Sequence, residues 1–295
     1  MRYNPKYEYQ KIFVESLEDI YAIILEYNTF YHLPRYPIPG ETQVLRAFYR
    51  GQSDAEWNIA PSLLHAKKKL GEKQRIYNFV PHAEMSLFDT IAYIQHYQTE
   101  TRFIDFSTNP DIAAYFACSE NNNTDGAIFI YSYLSHEPQW HTTVILSELT
   151  QLDSDSMITV RSFSELILNK HPYLQKRFMQ VEDLDMEIIS FLDHGFMVLP
   201  NDTNRRHNLR LYRQSGCFFV CGVQFDTELE SCDRWRSRAG FNLFLPHSAV
   251  VPESLISGNS LVKLIIPKEI KKEILQKLEE KGITYDYLFP IETST

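Results

Sequence analysis

Three polar residues stand in otherwise apolar surroundings and have side chains that could do chemistry. Arg50 lies between an aromatic run and a glycine in AFYRG, Asp105 lies within the apolar run TRFIDF, and His96 follows a helical run. A guanidinium can bind phosphate oxygens through two parallel hydrogen bonds, and a histidine, whose ordinary pKa is about 6.5, suits general base catalysis. A carboxylate within an apolar strand is costly unless it has a partner, and such carboxylates collect at functional sites. The three residues are therefore candidates for a binding or catalytic site.

Arg50 and Asp105 each have a structural alternative. Arg50 could pair with Asp54 or Glu56 and fix the loop that follows its strand. Asp105 could form an ion pair with Arg102 or with Arg50 rather than take part in catalysis. Both alternatives stay open, because polar residues that follow a strand serve sites as well as loops.

Helix ends offer a second interpretation for the neighbouring polar residues. His96 could bond to the main chain at the end of its helix, where its charge would also complement the helix dipole. Ser107, Thr108 and Asn109 precede Pro110, which fits the first position of a helix, so Asn109 or Thr108 is a good N-cap. Capping and ligand binding are compatible, since a helix N-terminus attracts phosphate.

The overall charge of the chain argues against one class of partner. The 295 residues carry a formal net charge of -9, whereas bulk, non-specific DNA binding needs a basic face that releases counterions. Basic runs at 65–75, 205–213 and 234–238 could line a local groove, although such runs are commonly solvated faces. Arg210, in the second run, and Gln214 are four residues apart and would share a face of a helical turn or form a loop clamp.

Cysteine usage and hydropathy indicate where the protein works. No CxxC pair and no matching His/Cys pair completes a zinc site. Buried free thiols are the expected state of the four cysteines, Cys118, Cys217, Cys221 and Cys232, and they suit a reducing cytosol. The N-terminus lacks the apolar segment of a signal peptide, and no run approaches the roughly 18 apolar residues of a membrane span. We therefore expect a cytoplasmic protein with no membrane partner.

Patterns along the chain predict the elements that position these residues. Capping signals and apolar spacing predict helices at 16–28, 75–98, 107–118 and 268–283. Bulky apolar runs predict strands at 44–51, where Gly51 would end the strand, and at 101–106, 127–134, 195–200, the later part of 209–223, and 261–267.

The order of these elements predicts the fold class. Strands and helices mix without a regular βαβ rhythm, which favours an α+β fold with a mixed β-sheet core and surrounding helices. No GxGxxG or GxxxxGK[ST] motif indicates a Rossmann or P-loop nucleotide site. Since no repeat or Gly/Ser linker divides the chain, we expect an N-terminal helical lead-in at 1–40 and one domain over 41–295.

Three blocks of sequence resemble a known family. They are FYRGQSDAEWNIAPSLL (48–64), QHYQTETRFIDFSTNPDIAAYFAC (95–118), and RLYRQSGCFFV (210–220) with a continuation at 264–290. In this order they resemble the FRG domain family, named for its aromatic-Arg-Gly motif, over most of the chain from residue 40 onward. The family usually has a Gly-Leu-Pro-like turn where this chain has Gln98, Thr99 and Glu100, so a loop near the site could differ.

A more remote resemblance concerns ADP-ribosyltransferases of the Arg-Ser-Glu type. In these enzymes an early strand carries Arg, a middle strand ends in Ser or Thr before a helix with alanines, and a late strand carries Glu. Arg50-Gly51 and Ser107-Thr108 resemble the first two parts in order, and Gln214 is the nearest counterpart of the third. The resemblance implies an ADP-ribosyltransferase-like fold, NAD as co-substrate, and a macromolecular acceptor, either protein or nucleic acid. By analogy it also implies a setting in bacterial phage defence or a toxin system.

The resemblance also implies roles for the candidate residues. Arg50, Ser107 and Gln214 would be catalytic, and Asp105 and His96 join them through their own chemistry. The implied cofactor-binding set consists of Arg50, Gly51, Gln52, Thr108, Asn109 and Arg210. Because Gln214 is neutral and would stabilise an oxocarbenium-like charge badly, the acid would come from elsewhere, and Asp105, Glu100 and Glu120 are the candidates.

Two other functions stay open. A sensor or interaction module would bind a nucleotide or a foreign protein without turnover, which fits the missing late Glu and the altered turn at 98–100. A metal-assisted nuclease could use His96, Asp105 and Glu100, although these residues lack a recognisable ligand spacing. We expect no metal site.

Overall fold

A computed structural model describes residues 8–30, 45–65, 72–78, 85–97, 99–152, 158–191, 194–206, 208–223, 249, 251–252 and 255–290. The strands are β1 (Glu8–Phe13), β2 (Leu45–Gln52), β3 (Phe103–Ser107), β4 (Gly126–His136), β5 (Gly195–Val198), β6 (Gly216–Cys221) and β7 (Ser257–Ile266). The helices are α1 (Leu17–Phe30), α2 (Glu72–Tyr77), α3 (Leu87–Tyr97), α4 (Pro110–Cys118), α5 (His141–Leu149), α6 (Val160–Lys170), α7 (Val181–Phe191), α8 (Asp202–Arg206), α9 (Leu209–Arg213), α10 (Lys271–Glu280) and α11 (Tyr285–Leu288). Short 3-10 turns occupy Ser62–His65 and Pro172–Lys176.

The strands form one mixed sheet that closes on itself. Their order is β1-β7-β4-β2-β3-β6-β5, and an additional pairing of β5 with β4 closes a barrel of five strands, from β4 through β2, β3 and β6 to β5. The β1–β7 and β4–β5 pairs are parallel, whereas the remaining pairs are antiparallel. The predicted α+β fold with a mixed sheet and surrounding helices is therefore confirmed.

Three apolar clusters hold the layers together. Aromatic side chains such as Phe48, Tyr131 and Phe219 pack with other strand residues in one cluster, as expected for the interior of a small barrel. A second cluster joins α1, α4 and α10 to the sheet. A third cluster packs α3, α5, α6 and α7 against β3 and β6. Helices on two sides thus bury the faces of the barrel strands.

The β2–β3 pair is the weak seam of the barrel. β2 pairs with β4 along its whole length, from Leu45 opposite Leu134 to Gln52 opposite Ala127. Its recorded pairing with β3 is the single pair Tyr49 and Ser107. Polar side chains near this seam therefore lie beside main-chain groups that a continuous ladder would have paired.

Local sequence signals explain where the helices begin. Ser16 and Asp19 form a reciprocal cap before α1, since the Ser16 hydroxyl accepts from the Asp19 N–H at 3.1 Å and the Asp19 carboxylate accepts from the Glu15 N–H at 3.0 Å. Asn109 caps α4 and Pro110 occupies its first turn. These features match the predictions for both helices.

Some predicted elements are corrected. Gly51 does not end β2, which continues to Gln52. The predicted helix at 75–98 is two helices, because α2 ends at Tyr77 and α3 begins at Leu87, and residues 79–84 between them lie outside the described part of the chain. β1 was not predicted from the sequence; it pairs with β7. The division of the chain at residue 40 stays a prediction.

Candidate functional site

A pocket of about 280 Å³ opens beside the seam between β2 and β3. Its walls come from β2, β3, the last turn of α3, one face of α4, α9, and a phenylalanine just after α11. The residues that line it include seven of the predicted site residues, namely Arg50, Gly51, His96, Asp105, Ser107, Arg210 and Gln214. Segments that are far apart in the sequence thus meet in one cavity.

Arg50 spans the seam. Its Nη1 donates to the main-chain oxygen of Asp105 at 2.7 Å, and its Nε is buried without a hydrogen-bond partner among the described residues. Burial lowers the pKa of Arg50, and the Asp105 carboxylate acts in the opposite direction. The alternative pairing with its own loop is not what is observed, because the Asp54 carboxylate accepts from the main-chain N–H of Glu56 at 2.9 Å.

Asp105 is the carboxylate of the pocket. Its Oδ2 accepts from Gln95 Nε2 at 2.9 Å, while its Oδ1 lies 3.5 Å from His96 Nε2, within ion-pair range. At this distance the contact is an ion pair and not a hydrogen bond, so the buried Oδ1 has no hydrogen-bond partner among the described residues. Burial alone would raise the pKa of Asp105, but the contact with His96, the charge of Arg50 and the Gln95 hydrogen bond together hold this pKa below its ordinary value. With 43% of its side chain exposed, Asp105 can still contact a ligand.

The other acidic candidates lie outside the lining of this pocket. Glu100 pairs with Arg75, and Glu120 is exposed beyond the end of α4. Arg102, a predicted partner of Asp105, instead forms a buried ion pair with Glu72, in which Nε lies 2.9 Å from Oε2. The prediction of an Arg102–Asp105 pair is therefore wrong. No group of three His, Cys, Asp or Glu side chains within the described residues could hold a metal ion.

His96 is held on both sides of its ring. Its Nδ1 lies 3.1 Å from the side-chain nitrogen of Asn208, and its ring packs on Phe218 with centroids 5.4 Å apart. The His96 carbonyl accepts from Arg210 Nη1 at 2.6 Å. His96 therefore lies in the last turn of α3, but among the described residues its ring contacts the side chains of Asn208 and Asp105 rather than the main chain that the structural alternative proposed.

Ser107 and Gln214 join β3 to the turn after α9. The Ser107 hydroxyl donates to the main-chain oxygen of Gln214 at 2.8 Å and accepts from the Asn109 N–H at 3.0 Å. The Gln214 side chain donates through Nε2 to the main-chain oxygen of Leu288 at 3.1 Å. Both side chains are buried, and these hydrogen bonds hold the pocket wall together.

Three of the predicted cofactor-binding residues do not line the pocket. Thr108 donates through its N–H and its hydroxyl to the main-chain oxygen of Ser215, at 3.0 and 3.2 Å. Asn109 Oδ1 accepts from the Asp111 N–H at 2.9 Å as the N-cap of α4. Gln52 is buried, and its Oε1 has no partner among the described residues. Asn109 thus caps α4, Thr108 joins the end of β3 to the turn after α9, and binding by any of the three residues stays a prediction.

A stack of aromatic rings around Arg210 was not predicted. The rings of Tyr93 and Tyr97 stack at 4.5 Å, the Arg210 guanidinium lies 4.4 Å from the Tyr97 ring centroid and 5.4 Å from that of Phe289, and Phe289 stacks on Tyr285 at 4.8 Å. Cation–π contacts of this kind fix the orientation of a guanidinium. The sequence signal is a spacing of four residues, between Tyr93 and Tyr97 and between Tyr285 and Phe289. This spacing places the two rings of each pair on one side of a helical turn.

Several predictions concern the rest of the chain. Cys118, Cys217 and Cys221 are free and buried, as expected, whereas Cys232 and the basic run 234–238 lie outside the described residues. Across the part of the chain that is described, none of the helices combines the length and the apolar character needed to cross a membrane.

Comparison with known proteins finds a similarity that includes the FYRG segment. No curated protein and no solved structure matches the chain significantly. A family model, that of the FRG domain, matches residues 45–126, which run from β2 through α4 to the first residue of β4. The match includes Arg50 and Asp105, while α9 and α11 lie beyond it, so the wider resemblance stays a prediction. Residues 45–126 are therefore similar to the FRG domain, and the aromatic-Arg-Gly motif within them forms one wall of the pocket.

Proposed function

We propose that the chain is an NAD-dependent, ADP-ribosyltransferase-like enzyme that modifies a macromolecular target, in bacterial phage defence or a toxin system. The observation that carries the proposal is the meeting of Arg50, Asp105, Ser107 and Gln214 in one pocket, although the first and last are far apart in the sequence. The ordered Arg and Ser segments of the remote resemblance thus border a single cavity, and Asp105 supplies the acid that Gln214 cannot.

Unsatisfied polar atoms support a bound ligand. Arg50 Nε, Arg210 Nε and Asp105 Oδ1 are buried atoms without hydrogen-bond partners among the described residues, and all three belong to side chains of this pocket. Buried polar groups without partners are rare in native proteins and call for an explanation such as a missing ligand. A nucleotide offers phosphate oxygens to the guanidinium groups and ribose hydroxyls to the carboxylate.

The charges suit a pyrophosphate beside a reacting sugar. Two guanidinium groups, those of Arg50 and Arg210, face one carboxylate, that of Asp105. In the proposed reaction the bond between nicotinamide and the ribose C1′ breaks, and its electron pair leaves with nicotinamide. The acceptor then forms a bond to C1′ and releases its proton to solvent. Because its pKa is lowered, Asp105 is ionised at neutral pH and can stabilise the oxocarbenium-like charge that develops on the sugar.

A second candidate is a module that binds a nucleotide without cleaving it. The contacts of Ser107 and Gln214 favour this alternative, because the Ser107 hydroxyl and the Gln214 amide are already committed to main-chain partners. A sensor of this kind would use the two arginines for binding and would need no acid. The enzyme should release nicotinamide more slowly in the variant Asp105→Asn, whereas the sensor should release none with or without the substitution.

Calorimetric titration with NAD, together with measurement of released nicotinamide, tests the proposal. We expect Arg50→Gln to weaken NAD binding by about tenfold or more, since a hydrogen bond to a charged group contributes about 1.5–3 kcal/mol. Asp105→Asn keeps the binding and loses about 10²–10³ in the rate of nicotinamide release, as for the loss of one electrostatic stabiliser. Arg206→Gln, at an exposed arginine outside the pocket, is the matched control and keeps both.

The outcomes separate the two candidates. Tight NAD binding without nicotinamide release, in the presence of protein and nucleic-acid acceptors, contradicts the enzyme and supports the sensor. Absence of NAD binding by the unaltered chain contradicts both. Equal effects of Arg50→Gln and Arg206→Gln would show that NAD binds elsewhere.

A further inference from the structure

The aromatic stack extends from the pocket to the surface of the chain. Phe289 lines the pocket and stacks on Tyr285, whose ring is tilted by 27° from it. Tyr285 is 64% exposed, so with Phe289 against one face of its ring, the other face is open to solvent. The stack therefore ends in a ring that has room for one further planar group.

The position of this ring is fixed by its short helix. Thr284 caps α11, because its hydroxyl accepts from the Tyr287 N–H at 3.2 Å. Leu288 is completely buried and anchors the same helix in the apolar cluster with α4 and α10. Arg213 also holds α11, donating through Nη1 to the Tyr287 main-chain oxygen at 3.2 Å. A preorganised ring loses little freedom when a ligand stacks on it.

The size of the pocket leaves part of a dinucleotide outside. Its volume of about 280 Å³ lies at the lower limit of the range of about 300–1,000 Å³ that is usual for pockets of drug-sized ligands. A dinucleotide has two nucleoside halves joined by a pyrophosphate. If the nicotinamide half and the phosphates occupy the cavity, the adenosine half must lie against its rim.

We propose that the exposed face of Tyr285 binds the adenine base of NAD. This inference rests on the proposed function, since it places the second half of the same dinucleotide. A purine stacked on Tyr285 would extend the row formed by Tyr97, Arg210 and Phe289. Stacking of one base on an aromatic side chain contributes about 1–3 kcal/mol and depends little on which base it is.

Charge favours a free base over a nucleic-acid strand. Asp286 follows Tyr285 in α11 and is exposed, so it opposes binding of a phosphate beside Tyr285. Arg213, a cation that contacts the same helix, is already engaged by the main-chain oxygen and the ring of Tyr287. A strand would bring a phosphate for every nucleotide, and the chain has a net charge of -9. The adenosine half of NAD carries its phosphates on the side toward the two arginines of the pocket.

The test uses each half of the dinucleotide as a separate probe. Titration calorimetry with AMP and with nicotinamide mononucleotide is performed on the full chain and on Tyr285→Ala. We expect the variant to bind AMP about tenfold or more weakly, since stacking of one base contributes about 1–3 kcal/mol, and to bind nicotinamide mononucleotide as the unaltered chain does. Tyr285→Phe retains the ring and restores AMP binding. Tyr77→Ala, at a tyrosine in α2 that is even more exposed (86%), is the matched control.

Every outcome decides the inference. Unchanged AMP affinity in Tyr285→Ala overturns it, as does failure of the unaltered chain to bind AMP. Equal loss of both ligands in the variant would mean that Tyr285 only supports the pocket, which also overturns it. If AMP binds through Tyr285 while nicotinamide mononucleotide does not bind at all, the proposed NAD chemistry fails and the base platform stands. If a single-stranded oligonucleotide binds more tightly than AMP and this binding is lost in Tyr285→Ala, the ligand of Tyr285 is a nucleic-acid strand, and the assignment to the adenine of NAD is wrong.

Discussion

Gly51 of the aromatic-Arg-Gly motif is required by packing rather than by a turn. It lies within β2, and a Cβ added to it would stand 1.9 Å from the main-chain oxygen of Ala113 and 2.8 Å from the main-chain nitrogen of Ala117. Both atoms belong to the backbone of α4, so no side chain can rotate away. Any larger residue must therefore push β2 and α4 apart.

The cost of Gly51→Ala follows from this distance. Real Cβ atoms essentially never approach another atom more closely than 3.0 Å, so the strand and the helix must separate by roughly 1 Å. Overpacking of a core typically costs about 1–3 kcal/mol, and we expect a value near the upper limit because two backbone segments must move. Alanine recovers about 0.5–1 kcal/mol of strand preference over glycine. The free energy of unfolding should then fall by about 2 kcal/mol.

Urea denaturation of Gly51→Ala beside Gly282→Ala measures this cost. Gly282 has φ +81 and no atom within 4 Å of its added Cβ, so its replacement tests backbone strain alone, at about 1 kcal/mol. Because Ala113 also lines the pocket, only Gly51→Ala should weaken NAD binding as well. If Gly51→Ala is no more destabilising than Gly282→Ala, the close contact between β2 and α4 is not real.

Two further predictions follow from groups whose pKa is shifted by burial. Burial, and to a lesser extent the charge of His141, lowers the pKa of His136 to about 4. Because an unfolded histidine takes up a proton below about pH 6.5, the free energy of unfolding should decrease by about 3 kcal/mol as the pH falls from about 6.5 to 4. Urea denaturation of His136→Gln should show no such dependence on pH, and an equal dependence in the variant would contradict the assignment. Burial raises the pKa of Cys118 to about 12 and also raises the pKa values of Cys217 and Cys221. Iodoacetamide at pH 8 should therefore label these three thiols only after denaturation. Labelling of any of the three in the native chain, located by mass spectrometry of its peptides, would contradict their burial.

Local signals in the sequence predicted most of the elements, and the exceptions have physical causes. Capping residues and Pro110 located α1 and α4, since such signals act over a few residues. Apolar runs located β3, β4, β6 and β7. The continuation of β2 past Gly51 was not predicted, because the sequence alone does not distinguish a glycine that permits close packing from one that ends a strand. β1 was missed because its residues, EYQKIF, alternate weakly and gain their order from pairing with β7.

The site was only partly predictable for a similar reason. Arg50, His96 and Asp105 were identified because polar residues are conspicuous in apolar surroundings. Their partners were not identified, since the contact of Arg50 with a main-chain oxygen and the bond of Asp105 with Gln95 depend on how the strands and α3 lie in space. No short sequence pattern indicates that β2 and β3 pair at only one position.

The motif FYRG joins three separate constraints within one strand. Phe48 is completely buried in the cluster of strand aromatics, whereas Tyr49 packs in the cluster that includes α4. Gly51 lets α4 approach, and Arg50 crosses the seam where β2 and β3 part. Three of these four residues would be needed for folding whatever the chemistry, because they fix the strand against its neighbours. Arg50 alone leaves a buried donor unpaired within the pocket, so it is the residue of the motif whose type is best explained by a ligand.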